Sequence, residues 1–456
     1  MTASQSNFSQ LKDFLSYLAT IKGDLSNITA PPFLLSPKSV TEIPASWASH
    51  HDLFLQPARE DDPARRALLV LKNFLCSLHH QLHRPTIESD TGPRKPLNAF
   101  LGELFIGEFT TTTSSSSSSS SGATTNGADG SRSSANGIGN STRLVAEQVS
   151  HHPPVTACAL YNRSTGISSR GYVAQQTTFH PVSACVRVQQ TGHAIIRDSK
   201  HGEAHLRTLP TMTVRGLLSG HPYPELEGLC YISSSSGYLA TVEFTGKTSL
   251  VGGGSRNSVR AEVVCVRENE GESGGGGGGG GKGGRRKLFE VTGQWSGRLV
   301  FRDCVKDEVI EEFDVADVPA SEVRVKPIEE QSPWESRRAW AGVAEGIRAG
   351  DMRRVCAEKA EIEEAQRDIR RAEEMAGDEC RWSTVFFREM QESREFEVLA
   401  SVIPDPEARR LLKDKTAGVW EFVGPEVAER LISRGVYHRS LEPRGQVMNG
   451  DDDEVD

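Results

Sequence analysis

The chain has 456 residues, 36% hydrophobic and 25% charged, with a formal charge of −9 at pH 7. No uninterrupted apolar run approaches the roughly 18 residues a spanning helix needs, and the acidic balance argues against nucleic acid, which wants a basic face. Asp451, Asp452, Asp453, Glu454 and Asp456 supply −5 of the total and leave −4 elsewhere, so an anion site has to be a local cluster of cations.

The N-terminus, MTASQSNFSQLKDF, lacks the basic start, apolar stretch and cleavage site of a secretory signal, which predicts a cytosolic protein. Over residues 7–22, Phe8, Leu11, Phe14, Leu15, Leu18 and Ile21 recur at intervals of three and four and form one apolar helix face. The opposite face is mainly Ser, Thr, Gln and Asn without a Lys or Arg cluster, so this helix is expected to bind membranes by hydrophobic insertion. Gly23 and Ala30-Pro31-Pro32 end it, and a mixed region with helical patches such as Ala64 to His80 follows.

A Ser/Thr/Gly tract over 110–140 and a glycine run from Gly271 to Gly284 bury too little apolar area to offset their ordering entropy, and are expected as disordered surface insertions. Gly276 to Lys282 nearly matches a phosphate-binding P-loop, but Gly283 stands where Ser or Thr is required. Between Leu144 and Asp303 short strand-like runs alternate with turn residues: Val155 to Tyr161, Ala184 to Val188, His193 to Ile196, Met212 to Leu218, Leu239 to Phe244, Val259 to Val266, Leu288 to Val291 and Arg298 to Phe301. That pattern predicts a meandering antiparallel sheet that closes to protect its edges, and a large barrel can enclose a ligand. After Pro333 the chain turns helical, with a charged stretch from Asp351 to Met375 ending at Gly377, and an acidic tail follows Asn449. Cysteines 76, 158, 185, 230, 265, 304, 356 and 380 form no CxxC pair and read as reduced and mostly buried.

The most informative run is Glu147-Gln148-Val149-Ser150-His151-His152-Pro153-Pro154. Two histidines before two prolines could be metal ligands, a base for a nucleophile, or a surface turn. No HExxH or Cys/His knuckle supplies further zinc ligands, and no GxSxG elbow supplies a nucleophile. Lys359, Glu363 and Arg367 are four apart and so offset by only about 40° along one helix face. Alone they are a surface ladder worth roughly 0.3–0.5 kcal/mol per pair.

The EQVSHHPP run resembles the signature of the oxysterol-binding-protein-related family. Further segments are similar to that family in the expected order: Gly23-Asp24-Leu25 with Ala30-Pro31-Pro32-Phe33, Lys95-Pro96-Leu97-Asn98 with Phe100-Leu101-Gly102-Glu103, Gly293-Gln294-Trp295-Ser296-Gly297, and Lys326-Pro327 with Glu335-Ser336-Arg337. The resemblance covers about residues 8–390 and is greatest to the short yeast-type Kes/Osh members made of the lipid-binding domain alone.

What the resemblance implies is a mainly β, α+β fold: a nearly closed antiparallel β-barrel around a lipid tunnel, with an N-terminal lid and C-terminal helices. The chain then divides into a lid (1–30), a helical and mixed part (31–109), the insertion (110–140), the barrel (141–305, with its glycine-rich loop 268–286), a C-terminal helical region (306–445) and the tail (446–456). Carried onto this sequence, the family's contacts to a phosphatidylinositol 4-phosphate headgroup fall on Lys95, Leu97, Asn98, His151, His152, Lys359, Glu363 and Arg367. The helix triad then becomes two phosphate-binding cations held by a carboxylate between them. Leu25 and Trp47 resemble the family's sterol-enclosing residues, and Gln81 and Gln189 its polar tunnel residues. Leu82, Val173 and Gln176 depart from the tyrosine, asparagine and lysine expected there, which leaves the second lipid open.

The resulting expectation is a monomeric, non-enzymatic protein with no cofactor or metal. It would exchange phosphatidylinositol 4-phosphate for a sterol or another lipid, sitting transiently on Golgi, endoplasmic-reticulum or other organelle membranes. A sensor in which the same lipids switch a protein partner is the alternative.

Overall fold

The computed structural model describes residues 3–21, 23, 25, 28, 30–82, 94–110, 141–219, 221–246, 255–266, 286–376, 382–391, 393–413, 418–438 and 443. The Ser/Thr/Gly tract past Thr110, the glycine run with its P-loop-like stretch, Cys380 and the acidic tail lie outside the described residues.

The chain opens with helix α1 (Ala3–Leu18), strand β1 (Leu35–Ser39), a 3-10 helix over Val40–Ala48, α2 (His51–Leu55) and α3 (Pro63–Leu82). Then come β2 (Lys95–Leu97), β3 (Leu104–Thr110), β4 (Ser141–His151), β5 (Pro154–Asn162), β6 (Ile167–His180), β7 (Cys185–Asp198), β8 (Glu203–Arg207) and β9 (Thr211–Arg215). The sheet continues with β10 (Tyr223–Ser234), β11 (Tyr238–Thr245), β12 (Ser258–Cys265), β13 (Arg286–Gln294), β14 (Arg298–Asp303) and β15 (Glu308–Asp314). Helices α4 (Ser336–Ala339), α5 (Ala341–Ala349) and α6 (Met352–Ala376), strand β16 (Phe387–Met390), α7 (Arg394–Ser401), α8 (Pro406–Leu411), β17 (Val419–Phe422) and α9 (Pro425–Arg434) complete it.

Strands β3 to β15 form one 13-stranded sheet that follows chain order, except that β9 pairs with both β7 and β10 beside β8. Its ladders are antiparallel, as the short runs and turn residues predict. The sheet is longer at both ends than the pattern indicates, because β3 and β15 belong to it. The runs expected at Ala184 to Val188 and His193 to Ile196 are parts of the single strand β7, except that Ala184 lies in the turn before it.

One face of the sheet packs on the early helices along most of its length. Leu144, Cys158, Leu160 and Ala194 meet Trp47, Phe54 and Leu55, while Ile232, Val242, Val263 and Phe301 meet Leu71, Phe74 and Leu75 of α3. A sheet whose same face touches central helices from both sides is curled around them. Helix α3 starts at Pro63 because Asp62 Oδ1 accepts the Ala64 N–H at 2.9 Å, and its apolar side chains recur at helical spacing. The outer face carries α7 and α8 over β7, β8 and β11 through Phe396, Leu399 and Ile403. A third cluster joins Val145, Val149 and Val155 to α5, α6, α9 and the β16–β17 pair.

Helix α1 lies across the rim. Leu11, Leu15, Leu18 and Leu25 are buried against Leu217, with Phe179, Val186 and Val214 at the ends of β6, β7 and β9 beside them. The Leu25 N–H donates to the Thr177 carbonyl at 2.8 Å, which straps the segment after the helix to β6. The side chain of Phe8 lies outside the described residues.

Among the described residues no helix is long and apolar enough to cross a membrane. Cys76, Cys158, Cys185 and Cys230 are buried, Cys265 and Cys304 half-buried and Cys356 exposed, and none of these seven forms a disulfide.

Candidate functional site

The paired histidines sit at the turn between β4 and β5, where His151 pairs with Pro154 just past a bulge between Gln148 and Ser150. Ser150 Oγ donates to the Pro153 carbonyl at 2.7 Å and Gln148 Nε2 donates to the Ser150 carbonyl at 3.0 Å, so the turn is pinned from inside. His151 is half-buried with Nδ1 3.2 Å from the Ala99 carbonyl, whereas His152 is exposed. Their rings meet edge to face at 4.6 Å. Burial holds His151 below the usual imidazole pKa, His152 and Arg370 push the same way, and Glu363 opposes them. A corner whose burial and neighbouring cations disfavour its own positive charge is one that an anion would stabilise.

The elements that carry the other predicted headgroup residues, β2 and α6, flank that corner. Strand β2 runs parallel to β1 and delivers Lys95, Leu97 and Asn98 just before Ala99. Lys95 Nζ donates to the Ile28 carbonyl at 2.6 Å and to the Leu25 carbonyl at 3.4 Å, so it holds the base of the lid. The Leu97 side chain is buried with Leu35, Phe100 and Val149, so it packs the core and does not face a ligand. From the other side α6 buries Val355, Ile362 and Ala365 and turns its charged face outward. Lys359 Nζ lies 3.3 Å from Glu363 Oε1, while Arg367 is exposed and makes no ion pair among the described residues. Glu363 therefore pairs with one flanking cation and not two.

Arg370, one turn beyond Gln366, is a cation near His151 that spacing by fours from Lys359 passes over. Gln366 Nε2 on the same helix is buried without a hydrogen-bond partner. A reading by sevens from Glu363 reaches Arg370.

Much of the surrounding motif braces the corner. Glu103 is fully buried, with Oε1 accepting from Thr41 and Ser336 at 3.0 and 2.7 Å and Oε2 from Trp340 Nε1 at 2.7 Å. Glu147 accepts the Val385 and Phe386 amides at 2.7 and 2.8 Å. Arg337 donates twice to Glu42, at 3.1 and 3.0 Å. At Gly293, φ is +136° and a Cβ would lie 2.2 Å from the Arg298 carbonyl oxygen, which only glycine accommodates.

Of the predicted tunnel residues, Leu25 is buried under the lid and Trp47 faces α3, its carbonyl accepting Asn73 Nδ2 at 3.2 Å. Gln81 ends α3 with Oε1 3.4 Å from Ser46 Oγ. Gln189 is a correction. In β7, Ala194 and Ile196 face the central helices, while His193 faces outward with Nδ1 2.8 Å from the Leu412 carbonyl and its ring against Phe396. Alternation puts Gln189 on the outer face, opposite the exposed Gln176. Gln190 is the inward glutamine, its Nε2 donating to the Pro210 carbonyl at 2.7 Å. Of the departures, Val173 packs with Trp47 and Leu82 with the α3 cluster.

A curled antiparallel sheet on a central helix, capped by a strapped N-terminal helix beside a paired-histidine corner, has the lipid-binding architecture of the Oxysterol-binding protein family. The model of that family matches residues 13–422, and the chain belongs to it. The chain is 37% identical over 427 residues to the probable transporter efuK of Hormonema carpetanum, covering 93% of this chain and 54% of that protein, so it spans about half of that relative. To protein kes1 of Schizosaccharomyces pombe it is 34% identical over 396 residues, 86% of this chain and 90% of that protein. Its fold is similar to the Osh1 ORD domain solved in complex with ergosterol, at TM-score 0.60 and 19% identity, covering 92% of this chain and 88% of that one. It is also similar to the Osh3 ORD of Saccharomyces cerevisiae solved in complex with PI(4)P, at TM-score 0.59 and 17% identity, covering 93% of each chain.

Proposed function

We propose that the chain is a non-catalytic lipid exchanger that takes phosphatidylinositol 4-phosphate and a second, apolar lipid in turn. The observation that carries this reading is the convergence of His151 and His152 with Glu363 and Arg370 of α6, beside the strand that supplies Lys95. A phosphate monoester wants several charge-assisted donors at once, and those come here from three separate elements. Support comes also from two similar folds, the Osh1 ORD domain solved with ergosterol and the Osh3 ORD solved with PI(4)P. In this reading Lys95, Asn98, His151, His152, Lys359 and Arg367 hold the headgroup, joined by Arg370. Acyl chains or a polycyclic lipid lie among Leu25, Trp47, Gln81 and Gln190. The protein works as a monomer at cytosolic membrane faces such as those of the Golgi and endoplasmic reticulum, touching them peripherally.

The decisive experiment is extraction of phosphatidylinositol 4-phosphate from liposomes. His151→Ala combined with His152→Ala is expected to abolish extraction while the thermal unfolding midpoint stays near that of the parent, and Lys359→Glu is expected to act alike. Extraction at the parental rate by the folded double variant refutes the assignment. Release of inositol phosphate, free phosphate or fatty acid on prolonged incubation refutes the non-catalytic part.

A further inference from the structure

Strand β8 reads Glu203-Ala204-His205-Leu206-Arg207, an alternation that suggests a strand with one face in water, yet all five residues are buried. Ala204 and Leu206 face outward under α7 and α8 with Phe396 and Leu399. The polar set therefore points into the curled sheet, towards the central helices. Glu203 is paired there, its Oε2 2.5 Å from Arg66 Nε of α3. His205 is kept neutral by burial, which pushes its pKa down to about 4.

Arg207 has no such partner. It is 4% exposed, and its Nε is buried without a hydrogen-bond partner. Its guanidinium carbon lies 4.8 Å from the Trp47 ring centroid and 5.0 Å from that of Phe74. The other groups that act on it electrostatically are the thiols of Cys158 and Cys230, which burial keeps protonated by pushing their pKa values up. Glu203 is taken up by Arg66, Asp198 by His201 at 2.6 Å, and His205 is neutral, so none of them offers the Arg207 guanidinium a countercharge. Two aromatic faces attract a guanidinium, but they offer no acceptor for its N–H donors. A buried cation without an anion is the arrangement that proteins avoid unless something else supplies the charge.

We infer that Arg207 is a binding site for the acid group of the second cargo, an apolar lipid ending in a carboxylate that enters acid end first and meets the guanidinium between Trp47 and Phe74. This rests on the proposed function, because it names the chemistry of a lipid held inside the sheet. A carboxylate matches the fork of the guanidinium with two parallel hydrogen bonds and neutralises it, whereas the single hydroxyl of a neutral sterol does only part of the first and none of the second. Phosphatidylinositol 4-phosphate does not compete for Arg207, since its charged end stays at the histidine corner on the rim.

The test uses the full chain and radiolabelled oleate and lithocholate, each compared with its methyl ester. The parent is expected to bind at least one acid about tenfold or more tightly than its ester. Arg207→Met, close in volume and neutral, is expected to erase that preference, to extract phosphatidylinositol 4-phosphate at the parental rate, and to unfold at the same or a higher temperature. Arg207→Lys, which keeps the charge and loses the fork, is expected to retain part of the preference. Equal binding of acid and ester by a parent that extracts the phosphoinositide normally overturns the inference and leaves the proposed function standing. Retention of the full preference by Arg207→Met overturns it as well. A parent that takes up neither the phosphoinositide nor any of the four probes overturns both.

Discussion

Glu147 shows how one residue of a signature can serve the fold. Its carboxylate is fully buried and accepts the Val385 and Phe386 amides, and burial nevertheless pushes its pKa up to about 7. The folded state therefore binds its proton more tightly than the unfolded chain, where the value is 4.5. That contribution to stability is complete below pH 4.5 and is lost as pH rises through 7, by on the order of 3 kcal/mol. His438 acts with the opposite sign: burial pushes it down to about 4, so its contribution is present above 6.5 and is lost as pH falls through 4. The two overlap, so the comparison must be with a variant. Glu147→Gln leaves one carbonyl oxygen for two amides and is expected to cost about 1–3 kcal/mol at pH 5, with the deficit shrinking by pH 7.5. Denaturant unfolding at both values measures this, and a deficit independent of pH means that Glu147 ionises normally. At this scale the histidine corner was legible, because adjacent histidines and prolines form a local pattern. Gln190 and Arg207 were not, since the face a strand residue takes depends on its partners and not on its neighbours in sequence.

The elements were legible in type more than in placement. The spacing of Leu11, Phe14, Leu15 and Leu18 announces α1, and the absence of Gly and Pro announces α6, but an apolar face does not say what covers it. Here the α1 face is turned inward on Leu217 with Phe14 half-buried, so insertion into a membrane requires the lid to open. Phe14→Asp is expected to weaken flotation with small, highly curved neutral liposomes and to slow lipid transfer. Normal transfer, or parental binding that depends on anionic lipid and not on curvature, removes the membrane role from α1. Lys95 couples this element to the proposed headgroup site, since its ammonium holds the Leu25 and Ile28 carbonyls. Lys95→Met removes the ammonium that holds both carbonyls, at about 1 kcal/mol per hydrogen bond lost, so the lid is expected to open roughly tenfold more often or greater. Hydrogen exchange of the peptide spanning Leu11 to Ile21 should quicken accordingly, and unchanged protection there means the lid is held by its apolar contacts alone.

For the whole molecule the problem is two sheet edges, and the chain answers each differently. Strand β15 presents Glu308, Glu311, Glu312 and Asp314 to solvent, charges that discourage pairing with another chain. Strand β3, the other end of the path, is apolar and is covered by the chain that has just left β15. The Glu108 and Arg324 backbones exchange two hydrogen bonds of 2.8 Å, and the Leu104 N–H donates to the Trp334 carbonyl at 2.9 Å. Val323 comes so near that a Cβ on Gly107 would sit 2.4 Å from its Cγ2, so the glycine is what admits the cover. Short strands and turn residues made an antiparallel sheet legible, but this cover pairs residues more than two hundred positions apart, which no local pattern encodes. Arg324→Pro removes the N–H that donates to Glu108 while the exposed side chain contributes little, so Arg324→Ala isolates the backbone effect. The proline variant is expected to lose about 2 kcal/mol and roughly 2 °C in unfolding midpoint relative to the alanine variant, and to aggregate sooner on refolding, because an apolar edge is left open. Extraction of phosphatidylinositol 4-phosphate at low temperature should survive, since the histidine corner lies at the far ends of β4 and β5. Equal midpoints for the two variants would show that the cover is held by Val323 and Val325 packing on Phe109 and not by its backbone pairing.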